Sequence, residues 1–241
     1  MINQVIFNSV NFWEELGCAP SAPVNYPIPA EIKELVKVKG ANGSLTEATG
    51  YYNNLEIEVN FRGLITHAKP QYKDFHSIKR KINQIFNGIN DNRLFFSSVP
   101  DRCYKVKSCG VGAVSQVSDY EINFNVTFVC DPFLYNPLER PATSTGSIEY
   151  NGDIPNAPVI KVNFNGHGQV TVFCNGEDLI FEAQRGLHEI NLNPFSIVTR
   201  GGVPVKSRGK QPVLKKGLNE IRINGVVFSS VEIIKNERYL G

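Results

Sequence analysis

The sequence lacks any hydrophobic run that could cross a membrane. Its 241 residues contain no stretch of about eighteen consecutive apolar residues, the length that a spanning helix needs. Met1 is followed by INQVIFNSVNFWEEL, which has neither a basic start nor a long apolar segment, so no signal peptide is predicted. We therefore expect no membrane insertion and no secretion signal.

Cysteine is scarce, and its spacing excludes the usual cysteine frameworks. The five cysteines are 18, 103, 109, 130 and 174, an odd number with no C-x-x-C pair. This spacing argues against a disulfide scaffold and against a structural zinc site. Reduced thiols, and assembly in the cytoplasm of the cell that makes the protein, are the simplest interpretation.

An excess of positive charge is also missing. The chain has 25 Lys and Arg against 23 Asp and Glu, a net charge of +2. Nucleic-acid-binding domains normally concentrate basic residues on one face. The densest basic run, Lys79-Arg80-Lys81, is predicted to lie on the solvated side of a helix. We expect no specific nucleic-acid binding.

Catalytic motifs are absent as well. The sequence has no phosphate-binding glycine loop, no G-x-S-x-G elbow and no H-E-x-x-H motif. Its four histidines (67, 76, 167 and 188) are far apart, and His76 is interpreted as a surface residue. We therefore assign no catalytic, cofactor-binding or metal-binding residue, and we predict that the chain is not an enzyme.

What the sequence does contain is strand patterning, clearest around residues 122–130. Apolar and mostly polar residues alternate there, which is typical of a half-buried strand. Pro132, Pro137 and Pro141 follow within a short distance, and this density of missing donors predicts the end of the strand and of a domain. The predicted domains are 1–136 and 143–241.

The first domain is predicted to be a β-barrel or sandwich-like fold with one α-helix. Apolar and polar residues alternate strictly in the LEIEVNF strand at 55–61, so one face of the sheet should be exposed to solvent. The helix is predicted at 73–87, with Asp74 near its N-cap and Gly88 as its C-cap. Its apolar stripe consists of Phe75, Ile78, Ile82 and Ile85.

Other parts of the first domain give weaker signals. Residues 1–13 suggest a short strand or hairpin, and 31–39 is ambiguous until the GANG turn at 40–43 favours a strand. Residues 93–112 predict two strands broken at Pro100, and 115–120 predict a turn. The proline-rich segment 17–29 either reaches a neighbouring subunit or wraps its own domain.

The second half predicts an antiparallel β-sandwich. Four short turn signals separate its alternating runs: Asn165-Gly166, Asn175-Gly176, Arg185-Gly186 and Asn224-Gly225. Asn-Gly between such runs is a strong hairpin signal because both residues of the turn need positive φ. The strands are predicted at 157–164, 168–174, 177–183, 187–192, 195–199, 219–224 and 226–235.

Three phrases, in this order and spacing, carry a resemblance to a known family. They are NFNVTFVCDPFLYN at the domain boundary, NGDIPNAPVIKV at 151–162 and KKGLNEIRI at 215–223. The chain resembles, over nearly its whole length, the distal tail proteins of bacteriophages with long non-contractile tails, particularly those of Gram-positive hosts. The phrases are signatures of turns and strands rather than of chemistry.

The resemblance implies a structural virion protein of the tail tip. Its N-terminal domains would form a hexameric ring, and its C-terminal galectin-like sandwich would project outward. The implied partners are the tail tube protein, a tail-associated lysin-like protein and receptor-binding proteins of the baseplate, with DNA passing through the channel. An alternative is a carbohydrate-binding module that contacts glycans on the host surface. This alternative would need an exposed aromatic side chain such as Trp in the sandwich, but the only Trp, Trp13, lies outside the predicted sandwich.

Overall fold

The computed structural model describes residues 3–37, 43–191 and 197–240. The chain divides into two compact units: the first runs to Pro137 and also includes Leu240, and the second is Leu138–Tyr239. The turn predicted at 40–43 and the strand predicted at 195–199 fall partly outside the described residues. The first unit contains β1 (Val5–Phe7), β2 (Val10–Asn11), α1 (Phe12–Leu16), β3 (Cys18–Pro20), β4 (Glu31–Lys37), β5 (Ser44–Tyr52), β6 (Leu55–Leu64), a 3₁₀ turn (Ile65–His67), α2 (Phe75–Phe86), β7 (Arg93–Phe96), β8 (Cys103–Val111), β9 (Ser115–Ser118) and β10 (Glu121–Tyr135).

The main sheet of this unit has the strand order β2-β1-β7-β8-β10-β6-β3, and β9 also pairs with β10. Strands β6 and β10 are antiparallel along their length, from Leu55 opposite Cys130 to Leu64 opposite Glu121. Burial alternates residue by residue along β6, so one face of the sheet is core and the other is wet, as the sequence predicts.

Helix α2 lies inside its predicted range. Asp74 caps it by accepting a hydrogen bond from the Ser77 backbone nitrogen at 2.9 Å. Ile78, Ile82 and Ile85 are buried, and His76 is exposed as predicted. The predicted C-cap is wrong: the helix ends at Phe86, and its C-cap is Asn87 rather than Gly88.

Three further predictions for the first unit are corrected. Strand β10 continues through Pro132 to Tyr135, because a register irregularity against β8 between Cys130 and Leu134 accommodates the missing donor. The turn predicted at 115–120 contains strand β9. The end of the 1–13 segment is helical, because the Asn11 side chain accepts from the Trp13 and Glu14 backbone nitrogens and starts α1.

The second unit is an antiparallel β-sandwich, as predicted. One sheet has the order β11-β19-β13-β14-β18 and the other β17-β16-β15-β12-β20, and buried residues from both form one core. The strands are β11 (Gly146–Tyr150), β12 (Val159–Phe164), β13 (Gly168–Cys174), β14 (Glu177–Ala183), β15 (Gly186–Ile190), β16 (Val198–Arg200), β17 (Val203–Val205), β18 (Ser207–Gly209), β19 (Gly217–Asn224), β20 (Phe228–Ile234) and β21 (Arg238–Tyr239).

The turn signals of the sandwich are real, but most of them do not make hairpins. Of the four turns named above, Asn175-Gly176 alone joins two paired strands, and it alone has both turn residues at positive φ, 51° and 90°. The turns at Asn165-Gly166, Arg185-Gly186 and Asn224-Gly225 each carry the chain from one sheet to the other. The hairpins that Asn-Gly predicts at 165–166 and 224–225 are therefore wrong. Strands β11, β17, β18 and β21 lie where no strand was predicted.

Candidate interaction surfaces

The first candidate surface is a β-hairpin that stands apart from the main sheet. Strands β4 and β5 pair only with each other, from Glu31 opposite Tyr52 to Lys37 opposite Ser44, within the described residues. Almost every residue of both strands is exposed. The exposed fractions of the large apolar side chains include 71% for Leu35, 64% for Leu45 and 73% for Tyr51.

These apolar side chains occupy both faces of the hairpin. Val36 lies opposite Leu45 on one face, and the neighbouring Leu35 points to the other. Next to the Val36–Leu45 pair, Glu34 lies opposite Glu47, and like charges in that position repel. A two-stranded ribbon is marginal in water without a surface to pack on. The hairpin therefore has the composition of an element that needs a partner.

The base of the hairpin is anchored on its own unit. The Tyr52 ring meets Phe133 edge-on, with 5.0 Å between centroids, and the Asn53 backbone nitrogen donates to the Ala30 carbonyl at 3.2 Å. The Thr49 hydroxyl donates to the Ile32 carbonyl at 2.6 Å. The base of the ribbon is thus held on its unit by the Tyr52–Phe133 contact, and its two strands are joined there by hydrogen bonds.

The proline-rich segment lies on its own domain. The Tyr26 hydroxyl shares a hydrogen bond of 2.7 Å with the Ser98 hydroxyl, and its ring contacts Phe96 with 5.2 Å between centroids. The Ser21 backbone nitrogen donates to the Asn60 carbonyl at 2.7 Å. Of the two interpretations of this segment, the structure supports the wrap over its own sheet, at least from Ser21 to Tyr26.

The second candidate surface is a cavity of about 540 Å³ in the sandwich. It lies at the side where β17, the edge strand of one sheet, is joined to β18, the edge strand of the other. Apolar side chains line part of it, including Ile180, Phe181 and Pro204. Arg200 and Arg208 line the rest together with amide and hydroxyl groups.

A buried histidine lies in the wall of this cavity. His188 Nδ1 lies 3.2 Å from the Gly186 carbonyl, and Nε2 lies 3.4 Å from the Gln184 backbone nitrogen. Because Nε2 can only accept from that N–H, the ring is neutral with its proton on Nδ1. Burial lowers the pKa of His188, the Gly186 carbonyl partly opposes this, and the nearby Arg200 charge lowers it further.

The sandwich also contains a buried carboxylate. Glu237 is 2% exposed, and it accepts from Lys235 Nζ at 2.6 Å, from the Asn151 backbone nitrogen at 3.1 Å and from the Tyr239 hydroxyl. Burial alone would raise the pKa of Glu237, but these hydrogen bonds outweigh burial and hold the pKa below its ordinary value. Fully paired in this way, Glu237 acts as a structural group.

No reactive or metal-binding cluster emerges from the described part of the chain. Burial raises the pKa of Cys18 and of Cys130 to about 12, so both thiols stay protonated at neutral pH. All five cysteines are free. Within residues 3–37, 43–191 and 197–240, no group of three or more His, Cys, Asp and Glu could hold a metal ion.

No helix among the described residues is both long and apolar enough to pass through a bilayer.

A solved structure matches the whole chain. It is the crystal structure of the SPP1 Dit (gp 19.1) protein, described as a paradigm of the hub adsorption apparatus in phages that infect Gram-positive bacteria. The match covers 100% of both chains, with a TM-score of 0.59 and 12% sequence identity. The chain has the fold of this phage protein. The resemblance noted in the sequence is thereby confirmed at the level of fold. No protein-family model and no curated protein sequence matches the chain.

Proposed function

We propose that this chain is a distal tail protein, a structural component of a phage virion that forms a hexameric ring at the tail tip. The ring would join the tail tube to the tail-tip and host-adhesion proteins, including lysin-like and receptor-binding proteins. Its domain 1–136 would supply the ring contacts, and its galectin-like sandwich, 143–241, would lie outside them. Assembly would take place in the host cytoplasm, without catalysis.

The observation that carries this proposal is the exposed β4–β5 hairpin on a fold shared with a phage hub protein. The hairpin presents apolar side chains on both faces, so a single flat contact would cover only one of them. Insertion between two surfaces of a neighbouring copy would cover both. The hairpin and the surface that receives it are different parts of the chain, so the contact is head-to-tail and closes into a ring when the rotation permits.

The charge of the protein fits passage of DNA through such a ring. A net charge of +2 over 241 residues gives no strong attraction for the phosphate backbone. On the wet face of β6, Glu56 and Glu58 are exposed. We propose that DNA passes through the ring without specific binding.

The ring proposal is tested by weighing the full chain in solution with light scattering. We expect a particle of about six times the 26.8 kDa of one chain. Replacing Leu35 and Leu45 together by Glu should reduce the mass to that of one chain, because each charge would have to be buried in the contact. Leu218→Glu is the matched control, since Leu218 is also an exposed leucine, 79% exposed, but lies in the sandwich. A double variant that still assembles would contradict the role of the hairpin.

A further inference from the structure

The cavity at the open side of the sandwich carries charge that the protein itself does not neutralise. Three cationic residues line it, Arg200, Lys206 and Arg208, against one carboxylate, Glu182. Among the described residues, no carboxylate lies within 4.0 Å of the charged nitrogens of these three cations. His188 adds no charge because its ring is held neutral. The lining therefore has a net charge of +2, three minus one, and complements an anion.

Arg200 is held in place by neutral groups. Its Nη1 donates to Gln184 Oε1 at 2.6 Å, and its Nη2 donates to the Arg185 carbonyl at 2.9 Å. Within the described part of the chain, the Nε–H and one hydrogen on each Nη of Arg200 have no partner and can bind a ligand. The guanidinium is thus preorganised to bind a carboxylate or phosphate.

The same cavity offers uncharged polar groups beside an apolar wall. Because Gln184 Oε1 accepts from Arg200, the amide nitrogen of Gln184 is the group that remains to bind a ligand. Gln169 and Ser207 also line the cavity, as do the apolar side chains of Ile180 and Val203. A volume of about 540 Å³ lies in the range of small-molecule sites, about 300–1,000 Å³. Amides and hydroxyls next to an apolar wall suit a ligand whose uncharged part, its body, carries both hydroxyl and C–H groups.

An extended peptide fits the cavity less well. A peptide would add itself as a strand to a free sheet edge, and β17 is such an edge. Its middle residue, however, is Pro204, which has no backbone N–H to donate and breaks the ladder that a new strand would need. A compact ligand that binds through side chains is favoured.

We propose that this cavity binds a small organic anion, a phosphate or carboxylate group carried on a hydroxylated body. The anionic group is held by Arg200 and Arg208, and the body lies between the Gln184 amide and the apolar wall. This site is separate from the hairpin, so it does not depend on ring assembly.

The test is isothermal titration calorimetry on the full chain at low salt, with glycerol 3-phosphate and glucuronate as probes. These two probes distinguish a phosphate site from a carboxylate site. Glycerol and glucose are their neutral counterparts, and inorganic phosphate tests the anion alone. We expect saturable binding of at least one of the two organic anions, tighter than that of inorganic phosphate, and no binding of the neutral compounds. Equal affinity for a neutral counterpart or for inorganic phosphate, or no binding at all, would overturn the proposal.

Two variants assign the binding to the cavity. Arg200→Gln and Arg208→Gln should each weaken binding about tenfold, as expected for the loss of a charge-assisted hydrogen bond. Lys215→Gln, which removes an exposed cation outside the cavity, is the control and should bind as wild type does. Amide NMR spectra check that each variant folds. Arg208 makes no hydrogen bond that its loss would break among the described residues, so its variant decides the question even if Arg200→Gln misfolds. Unchanged affinity in Arg208→Gln would place the site elsewhere.

Discussion

At the scale of single residues, Glu237 shows how a buried charge fixes the end of the sandwich. Its carboxylate accepts from Lys235, Tyr239 and the Asn151 backbone. On the adjoining segment, the Glu139 carboxylate accepts from the Asn236 and Glu237 backbone nitrogens at 2.9 and 3.2 Å. Two carboxyl groups thus hold the C-terminal segment against the start of the same unit, and Glu237 is the one whose folded pKa is lowered.

This arrangement predicts acid sensitivity of the sandwich. The pKa of Glu237 is lower in the folded state than its ordinary value of 4.5, so its stabilising effect is complete above about pH 4.5. The effect is lost as the pH falls through the lower, folded pKa. Glu237→Gln should therefore lower the urea midpoint of the sandwich clearly at pH 7, and the gap to wild type should narrow towards pH 3. The midpoint is measured from the amide NMR signals of residues 138–239.

The control for this prediction is Glu149→Gln, which removes an exposed carboxylate from β11. Its midpoint should stay close to that of wild type at both pH values. A gap for Glu237→Gln that is as large at pH 3 as at pH 7 would mean that lost packing, not lost charge, explains the destabilisation.

At the scale of elements, the C-terminus of α2 is held by a residue far away in sequence. Asn8 Nδ2 donates to the Ile85 and Gly88 carbonyls at 2.8 and 2.7 Å. Asn8 Oδ1 accepts from the Asn90 and Asp91 backbone nitrogens, each at 3.0 Å. One amide thus satisfies four backbone groups that the end of the helix and the following loop leave unpaired. The helix ends without a glycine cap because the Asn8 side chain pairs the backbone groups at this end.

We expect removal of this amide to destabilise the first unit. Asn8 has a φ of 53°, which glycine tolerates and alanine does not. Asn8→Gly should lower the free energy of unfolding by about 2 kcal/mol through the lost hydrogen bonds, and Asn8→Ala by about 1 kcal/mol more through backbone strain. Trp13 fluorescence in urea reports the change, since Trp13 lies in the same unit.

Asn87→Ala is the control for Asn8, because Asn87 is an exposed asparagine at the same helix end. It should change stability by well under about 1 kcal/mol. If both asparagine variants cost the same, the helix end is sensitive to any substitution and the four hydrogen bonds explain nothing specific.

The sequence predicts elements well where one local pattern decides them. The apolar period of α2 and the strict alternation of β6 are such patterns, because each depends only on which side faces the core. The Asn165-Gly166 turn shows the limit. A turn residue specifies a change of direction, but the choice of the sheet that the next strand joins depends on residues distant in sequence. The path of β10 through Pro132 likewise depends on its partner strand β8.

Neither candidate surface could be predicted from the sequence, because each depends on how residues distant in sequence are placed. The pattern of residues 31–39 gives no sign that Leu35 is exposed, since apolar side chains in a strand usually face a core. The cavity is built partly by β17 and β18, which are three residues each and have no alternation to detect. Arg200, Lys206 and Arg208 line the same cavity because β16, β17 and β18, short strands of two different sheets, follow one another there.

At the scale of the whole molecule, the two units differ in what they leave uncovered. The sandwich buries a continuous core of its own, with residues such as Tyr150, Phe164 and Ile221 fully enclosed. The first unit carries the β4–β5 hairpin, whose apolar side chains face solvent in a single chain. The capacity for self-association should therefore belong to the first unit alone.

We expect the two units, expressed separately, to behave differently in solution. The fragments are 1–137 and 138–241, because Glu139 and Ala142 bond to the sandwich and a fragment starting at 143 would lose them. The first fragment should be multimeric by light scattering and the second monomeric. Leu35 and Leu45 changed together to Glu in the first fragment should abolish its assembly, which separates the specific contact from aggregation of a truncated chain. A monomeric first fragment beside a multimeric sandwich would transfer the assembly role to the C-terminal unit, because the surface that associates must be present in whichever fragment associates alone.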